Sequence, residues 1–175
     1  MLTLRPFDIA DFPLLSSWFP SLRDVVQWGG SHVTYPLSDA QMSAMLAEGS
    51  SELPTRRCWM ACQDGDAIGH AQLAYDWQDG NARLGRVAIA PAKRGQGLAG
   101  PMVRLMMDEA FGTPGVERLE LNVYMFNAVA IRTYERLGFK LEGVRRSSTR
   151  AGDERWDTGM MGLLRSEWRA AAPGR

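Results

Sequence analysis

The chain is poor in lysine, histidine and cysteine, and each shortage removes a class of function. Among its 175 residues only Lys93 and Lys140 are lysines, so nearly every cation is arginine. Codon usage accounts for that preference as well as carboxylate or phosphate recognition does, and no function is read from it. Histidine is limited to His32 and His70, and cysteine to Cys58 and Cys62. These four residues offer no recognisable zinc spacing, and no metal is expected. Two cysteines in one strand-like stretch cannot build a disulfide framework, which predicts a reduced, cytoplasmic protein. Long apolar runs are missing as well: nothing approaches the ~18 consecutive apolar residues that a membrane span requires. The start, "MLTLRPFDIADF", carries charge at once, unlike a signal peptide. Lys+Arg and Asp+Glu balance at 20 each, so no net field recruits nucleic acid.

What is present describes an ordinary globular chain. Apolar residues make up 45% and charged residues 23%, enough for one good core and short for two domains. "LTLRPF" alternates like a strand. "DIADFPLLSSWF" follows with aspartates fit to cap a helix, Pro13 tolerable in a first turn, and Phe12, Leu15 and Phe19 at helical spacing. Ser38 to Gln41 has the form of a capping box before Met42, Met45 and Leu46, with Gly49 as a stop. "RRCWMACQ", "AIGHAQLAYDW" and "NARLGRVAIA" read as three strands joined by turns at Asp64-Gly65 and Asp79-Gly80-Asn81. Further on come a helix with Val103, Met106, Met107 and Ala110 on one face, the strand "ERLELNVY", and the helix "NAVAIRTYERLGF". The buried stripe of that last helix is Ala130, Ile131, Tyr134 and Leu137. A long hairpin turning at Ala151-Gly152-Asp153 closes the pattern. One mixed α/β domain over residues 1–168 is expected, with a frayed tail over 169–175.

"APAKRGQGLAG", from Ala90 to Gly100, admits two readings. Gly95, Gly97 and Gly100 spell the dinucleotide fingerprint, with Glu120 at the distance of its acidic partner. Arg94, Gly97 and Ala99 instead spell R-x-x-G-x-A. Both place unpaired N–H groups at the start of a helix, where an anion is favoured. Position separates them. "PAKR" intervenes between strand and glycine, antiparallel hairpins precede the loop, and too little chain follows for a second nucleotide-binding half. A P-loop is excluded because no Gly-Lys-Ser/Thr follows.

The loop "VAIAPAKRGQGLA", followed after one helix and one strand by "NAVAIRTYERLGF", closely resembles the GNAT superfamily of N-acetyltransferases. The first block matches its acetyl-CoA loop, the second its N-x-x-A-x-x-x-Y-x-x-x-G-F helix. "LGRVAIAP" and "LELNVYMFNAVAIRTYERLGFKLEG" are most similar to the branch that includes ribosomal-protein N-terminal acetyltransferases. The resemblance runs from Leu2 to about Trp168 and implies the GNAT fold. That fold is a mostly antiparallel, strongly twisted sheet of about seven strands flanked by about four helices.

The resemblance also assigns roles. Backbone N–H groups of Arg94, Gly95, Gln96, Gly97, Leu98 and Ala99 would wrap the pyrophosphate of coenzyme A, with Arg94 adding a charge. Pro101 departs from the pattern by removing an N–H just inside the helix. The backbone of Val87, Ala88 and Ile89 would pair with the pantetheine arm and donate to the thioester oxygen, which gains charge in the transition state. Tyr134 would protonate the departing thiolate, and Asn127 would cap its helix and touch the cofactor. Some relatives carry a glutamate where this chain has Asn122. Glu120 and Asp76 are the carboxylates left as base candidates, beside a chain of water molecules. Trp28, Tyr35, Tyr75 and Trp77 are candidates to line an acceptor pocket, and Asp24, Asp76 and Asp157 to attract a cationic amine. His70 reads as a packed histidine. The implied activity is direct acetyl transfer from acetyl-CoA to a small-molecule or peptide amine in a ternary complex; a homodimer is compatible with it. A non-catalytic acetyl-CoA-binding module of the same fold is the alternative.

Overall fold

The computed structural model describes residues 1–171. After strand β1 (Leu2–Pro6), Asp8 accepts from the Ala10 N–H at 2.8 Å, while Asp11 accepts from the Asp8 N–H at 2.9 Å. This reciprocal cap starts a short 3-10 turn that runs into α1 (Phe12–Ser17), with Pro13 in the first turn as expected. Helix α2 (Leu22–Gly29) follows, its first turn held by the Ser21 hydroxyl on the Asp24 N–H at 3.2 Å. In α3 (Asp39–Ala47) only half the expected capping box forms. Ser38 accepts from the Gln41 N–H at 3.3 Å, but the Gln41 side chain turns to the Thr34 N–H at 2.9 Å.

The remaining elements are β2 (Arg56–Gln63), β3 (Asp66–Asp76), β4 (Asn81–Ile89), α4 (Ala99–Gly112), β5 (Arg118–Tyr124), α5 (Ala128–Arg136), β6 (Lys140–Ala151), β7 (Glu154–Leu164) and α6 (Arg165–Ala171). The strands form one seven-stranded sheet in the order β1-β2-β3-β4-β5-β7-β6. Every neighbouring pair is antiparallel except β4 with β5, where α4 carries the chain across as a parallel connection requires. The strand assignment read from the sequence holds throughout. Six α-helices stand among the described residues rather than about four; the additions are α2 and α6. The chain is helical as far as Ala171, three residues past Trp168, and residues 172–175 of the expected frayed tail lie outside the described residues. No helix among the described residues is long and apolar enough to cross a membrane.

Both faces of the sheet are covered, by different parts of the chain. On one, Leu73, Leu84, Leu119 and Leu121 pack with Val103, Met106 and Ala110 of α4 and Tyr134 of α5. On the other, Met60, Ala88 and Ala90 pack with Leu15, Val25, Trp28 and Met42 of α1–α3. Strand β4 serves both layers because its alternation changes phase: Ala82 and Leu84 belong to the first cluster, Ala88 and Ala90 to the second. A one-residue slip exchanges the faces of a strand. The register shift lies between His70 and Gln72 of β3, opposite Arg86 and Val87.

The paired base of β4 and β5 is pinned at Gly80, whose carbonyl accepts from the Glu117 N–H at 2.8 Å. Its φ is +66°, and an added Cβ would stand 2.6 Å from the Gly115 carbonyl oxygen. Gly80→Ala is therefore expected to cost about 2 kcal/mol or more, read as a lower urea midpoint at unchanged slope. A midpoint equal to the wild type would contradict the pinning.

Candidate active site

Strands β4 and β5 are paired over only four register positions, from Asn81–Arg118 to Leu84–Leu121. Beyond them both strands continue, but apart. β4 stays with β3 as far as Gly69–Ile89, and β5 stays with β7 as far as Tyr124–Thr158. Residues 85–89 and 122–124 thus face each other across a gap with no strand between them. Arg86, at φ +50°, marks where β4 turns away, and neither it nor Val87 has a register partner on β3 or β5. Bulges of this kind bend a strand and end pairing next to functional sites. The Arg86 carbonyl accepts from the Trp28 indole N–H at 2.8 Å and from His70 Nδ1 at 3.0 Å. A carbonyl can only accept, so His70 carries its proton on Nδ1.

The glycine loop lies at the far end of β4. Gly95 and Gly97 adopt φ of +75° and +74°, and nothing stands within 4 Å of a Cβ built on either, so the backbone conformation alone demands glycine. The N–H groups of Gly95, Gln96, Gly97 and Leu98 donate to no backbone carbonyl among the described residues. Helix α4 begins at Ala99 with no side-chain cap, which leaves its first donors free as well. Pro101 occupies the first turn without disturbing it, since Met102 N–H reaches the Leu98 carbonyl at 3.1 Å. Arg94 is exposed, with Nε on the Ile89 carbonyl at 3.2 Å. This contact shows that the Ile89 carbonyl is directed out of the β3 ladder. The loop is a cradle of backbone donors with one cation beside it, suited to a polyphosphate.

Tyr134 stands on α5 in the core cluster that also receives Val87, its ring edge-on to Phe139 at 5.8 Å. Its hydroxyl has no hydrogen-bond partner among the described residues, and burial pushes its pKa up to about 12. Asn127 caps α5 as expected, accepting from the Ala130 N–H at 3.2 Å.

The structure separates the other candidates. Asn122 is exposed on β5 within the gap. Glu120 is one alternation earlier and already engaged: Arg83 Nε donates to it at 2.8 Å and Arg118 Nε at 3.4 Å. Asp76 is not at the gap. It accepts from the Gln78 and Asp79 N–H groups at 3.2 and 3.3 Å and so caps the turn at the paired end of β4. Trp77 stacks on buried Tyr75 at 4.7 Å and donates to the Pro54 carbonyl at 3.0 Å. It lines a cavity of about 550 Å³ beside the end of α4, with Asp108 and Gly112. Trp28 is buried against Phe19 at 4.6 Å and holds the bulge instead of lining an open pocket. Tyr35 is exposed, its hydroxyl on the Pro20 carbonyl at 2.8 Å. Asp24 serves the α2 cap, and Asp157 accepts from the Ser147 N–H at 2.6 Å.

The sequence reading missed what stands over the gap. The Tyr124 hydroxyl donates to the Val26 carbonyl at 3.1 Å, and Arg23 pairs with Glu154 while lying 4.9 Å from the Trp156 ring and 5.5 Å from Phe126. Together these contacts tie α2 to β5 and β7. Ser21 followed by Asp24, Val25, Val26 and Trp28 was the available signal for α2.

Residues 19–139 match the acetyltransferase (GNAT) family, a span that holds the glycine loop, Asn127 and Tyr134. The chain belongs to this family. It is 30% identical over 101 residues to the L-amino acid N-acetyltransferase of Escherichia coli, covering 57% of this chain and 62% of that protein's length. It is 26% identical over 152 residues to an aminoglycoside N(6')-acetyltransferase of Klebsiella pneumoniae, covering 81% and 75% of the two chains. The spermidine N-acetyltransferase of Vibrio cholerae, solved with CoA and spermine, shares the fold at a TM-score of 0.83 and 20% identity, over 96% and 98% of the chains. These relatives carry the names of small-molecule acetyltransferases. The ribosomal-protein branch suggested by the motifs is not among them.

His70 is fully buried, and its Nε2 has no partner. Burial pushes its pKa down from 6.5 to about 4, partly opposed by the bond to the Arg86 carbonyl. The unfolded chain takes up a proton that the folded protein excludes. Stability is therefore full above pH 6.5 and falls by about 1.4 kcal/mol per unit as the pH drops towards 4, or roughly 3 kcal/mol in all. The neighbouring Asp11, held low chiefly by its bond to Arg5, titrates below that window. Urea unfolding at pH 7 and pH 4.5 is expected to show this loss in the wild type and not in His70→Asn. Parallel slopes in the two proteins would contradict it.

Proposed function

We propose that this chain is an acetyl-CoA-dependent N-acetyltransferase that moves the acetyl group directly to a primary amine while donor and acceptor are bound together. The carrying observation is the parting of β4 and β5, which leaves strand edges free beside a cradle of backbone donors. In this reading the N–H groups from Arg94 to Ala99 hold the pyrophosphate of coenzyme A. The backbone from Val87 through Ala88 to Ile89 lines the pantetheine arm, and Asn127 closes the far side. A neutral amine attacks the thioester carbon, the carbon–sulfur bond breaks, and Tyr134 gives its proton to the thiolate. The proton lost by the amine passes to water, because Glu120 is held by two arginines and Asn122 cannot act as a base. No side chain is assigned as a metal ligand.

The names of the relatives support a small-molecule amine as acceptor over a peptide N-terminus. A single catalytic domain over residues 1–168 in a reducing cytoplasm completes the reading, supported by free Cys58 and Cys62 and by the one sheet that both core layers share.

Thermal unfolding with acetyl-CoA, coenzyme A, NADH and ATP in parallel tests the donor. Saturation at about 100 times the dissociation constant adds roughly 2.7 kcal/mol, a rise of about 5–11 °C for a domain of this size. The rise is expected with the two coenzyme A species only; a rise with NADH instead would overturn the reading. Tyr134→Phe should lower kcat about 100-fold with coenzyme A affinity unchanged, and an unaltered kcat would remove Tyr134 from the mechanism. Arg94→Ala should weaken coenzyme A binding in titration calorimetry, and equal affinity would free Arg94 of its role.

A further inference from the structure

Two side chains from distant parts of the chain converge on one backbone atom at the edge of the gap. The Trp28 indole N–H, from α2, and His70 Nδ1, from β3, meet the Arg86 carbonyl at 2.8 and 3.0 Å. Both are buried and held by other rings: Trp28 stacks on Phe19 at 4.6 Å, and Phe7 meets His70 edge-on at 5.4 Å. A carbonyl oxygen has two lone pairs, and here each has a side-chain donor. Arg86 is a non-glycine residue at φ +50°, a conformation that persists only where its surroundings impose it.

The held carbonyl is one half of a peptide unit whose other half is the Val87 N–H. The unit is planar and trans, so its C=O and N–H point in opposite directions. Gripping the oxygen from the α1–α3 side turns the Val87 N–H to the opposite side of the strand. Val87 has no register partner on either neighbouring strand and packs against the cluster that contains Tyr134.

We propose that Trp28 and His70 are positioning residues for acyl transfer: by holding the Arg86 carbonyl they aim the Val87 N–H at the oxygen of the thioester. The inference rests on the acetyltransferase reading above. A donor of this kind stabilises the transition state only if its direction is fixed before the charge develops. Neither side chain touches substrate. Trp28→Phe removes the indole N–H together with part of the ring, so an unchanged coenzyme A affinity beside a lower kcat is what separates aiming from filling space.

The test compares Trp28→Phe, His70→Leu and His70→Asn with the wild type, using the small amine that the wild type acetylates. Trp28→Phe and His70→Leu are expected to lose about 10-fold in kcat, with KM for acetyl-CoA and the dissociation constant of coenzyme A within about twofold. The Val87 amide should exchange with solvent about 10-fold faster in both. His70→Asn, which keeps a donor near the Nδ1 position, should recover most of the rate lost by His70→Leu. If His70→Leu does not fold, Trp28→Phe carries the test alone. Unchanged kcat in Trp28→Phe overturns the proposal, whatever the exchange rate. A parallel fall of kcat, coenzyme A affinity and melting temperature also overturns it, since that marks lost packing. A wild type that binds coenzyme A but acetylates no amine removes the acetyltransferase reading, and the positioning role with it. A wild type that turns over, with variants that match it, removes the positioning role alone.

Discussion

Among the described residues, four register pairs between β4 and β5 are the only strand pairing that joins the two halves of this sheet. The constraint on the molecule is that these strands must pair to stay one sheet and must part to make a site. The phase change in β4 meets both demands. Up to Leu84 the strand feeds the core under α4; beyond Val87 it turns Ala88 and Ala90 to the opposite layer. Arg86, at the change, is anchored at both ends. Its carbonyl is gripped by Trp28 and His70, while its guanidinium shares the Gln72 amide oxygen with Arg56 and lies 5.7 Å from the Trp28 ring. Burial, helped by the nearby Arg56 charge, pushes Arg86 down to about 10, which still leaves it charged at neutral pH.

The sequence was most legible where function depends on local geometry. The glycine loop needs positive φ at Gly95 and Gly97, and a helix cap needs a short polar side chain at Asn127; both leave marks at fixed offsets. The hairpins were legible for the same reason, through Asp64-Gly65 and Gly80. The long-range half was not. Trp28 and Arg86 are 58 positions apart, so nothing near Trp28 says that its indole N–H will meet a bulge carbonyl. Asp76, a carboxylate near a strand end, and Trp77, an aromatic outside the motifs, are acceptor-side candidates by sequence, but the antiparallel register places them at the closed end of β4. Glu120 reads as a free carboxylate until the parallel register sets it beside Arg83. The bulge did leave one trace. Ala82, Leu84, Val87 and Ile89 step by two except for a single step of three, the interval at which an alternating strand exchanges its faces.

Burial also bears on the acid role proposed for Tyr134. A phenol pushed up to about 12 is a poor match for a thiol in water, whose pKa lies near ~8.5. In the proposed reaction, however, the thiolate would form beside that phenol and share its surroundings. Desolvation raises phenols and thiols alike, and in this protein burial pushes the Cys58 thiol up to about 11. Desolvation of the thiolate would thus bring its proton affinity towards that of Tyr134 in the proposed transfer. The same burial keeps Tyr134 protonated through the physiological range.

In the proposed reaction, most of the work on the donor side falls to the main chain. Free N–H groups of the loop, the edge of β4 and the start of α4 need particular backbone conformations, and outside Gly95 and Gly97 few particular side chains. Arg94, Asn127 and Tyr134 are the exceptions in that proposal, joined by Trp28 and His70 through the Arg86 carbonyl they hold. The fold itself persists at low identity, since a chain only 20% identical overlays at a TM-score of 0.83. For the proposed main-chain donors, which have no side chain to remove, the residues worth altering are those that fix the backbone.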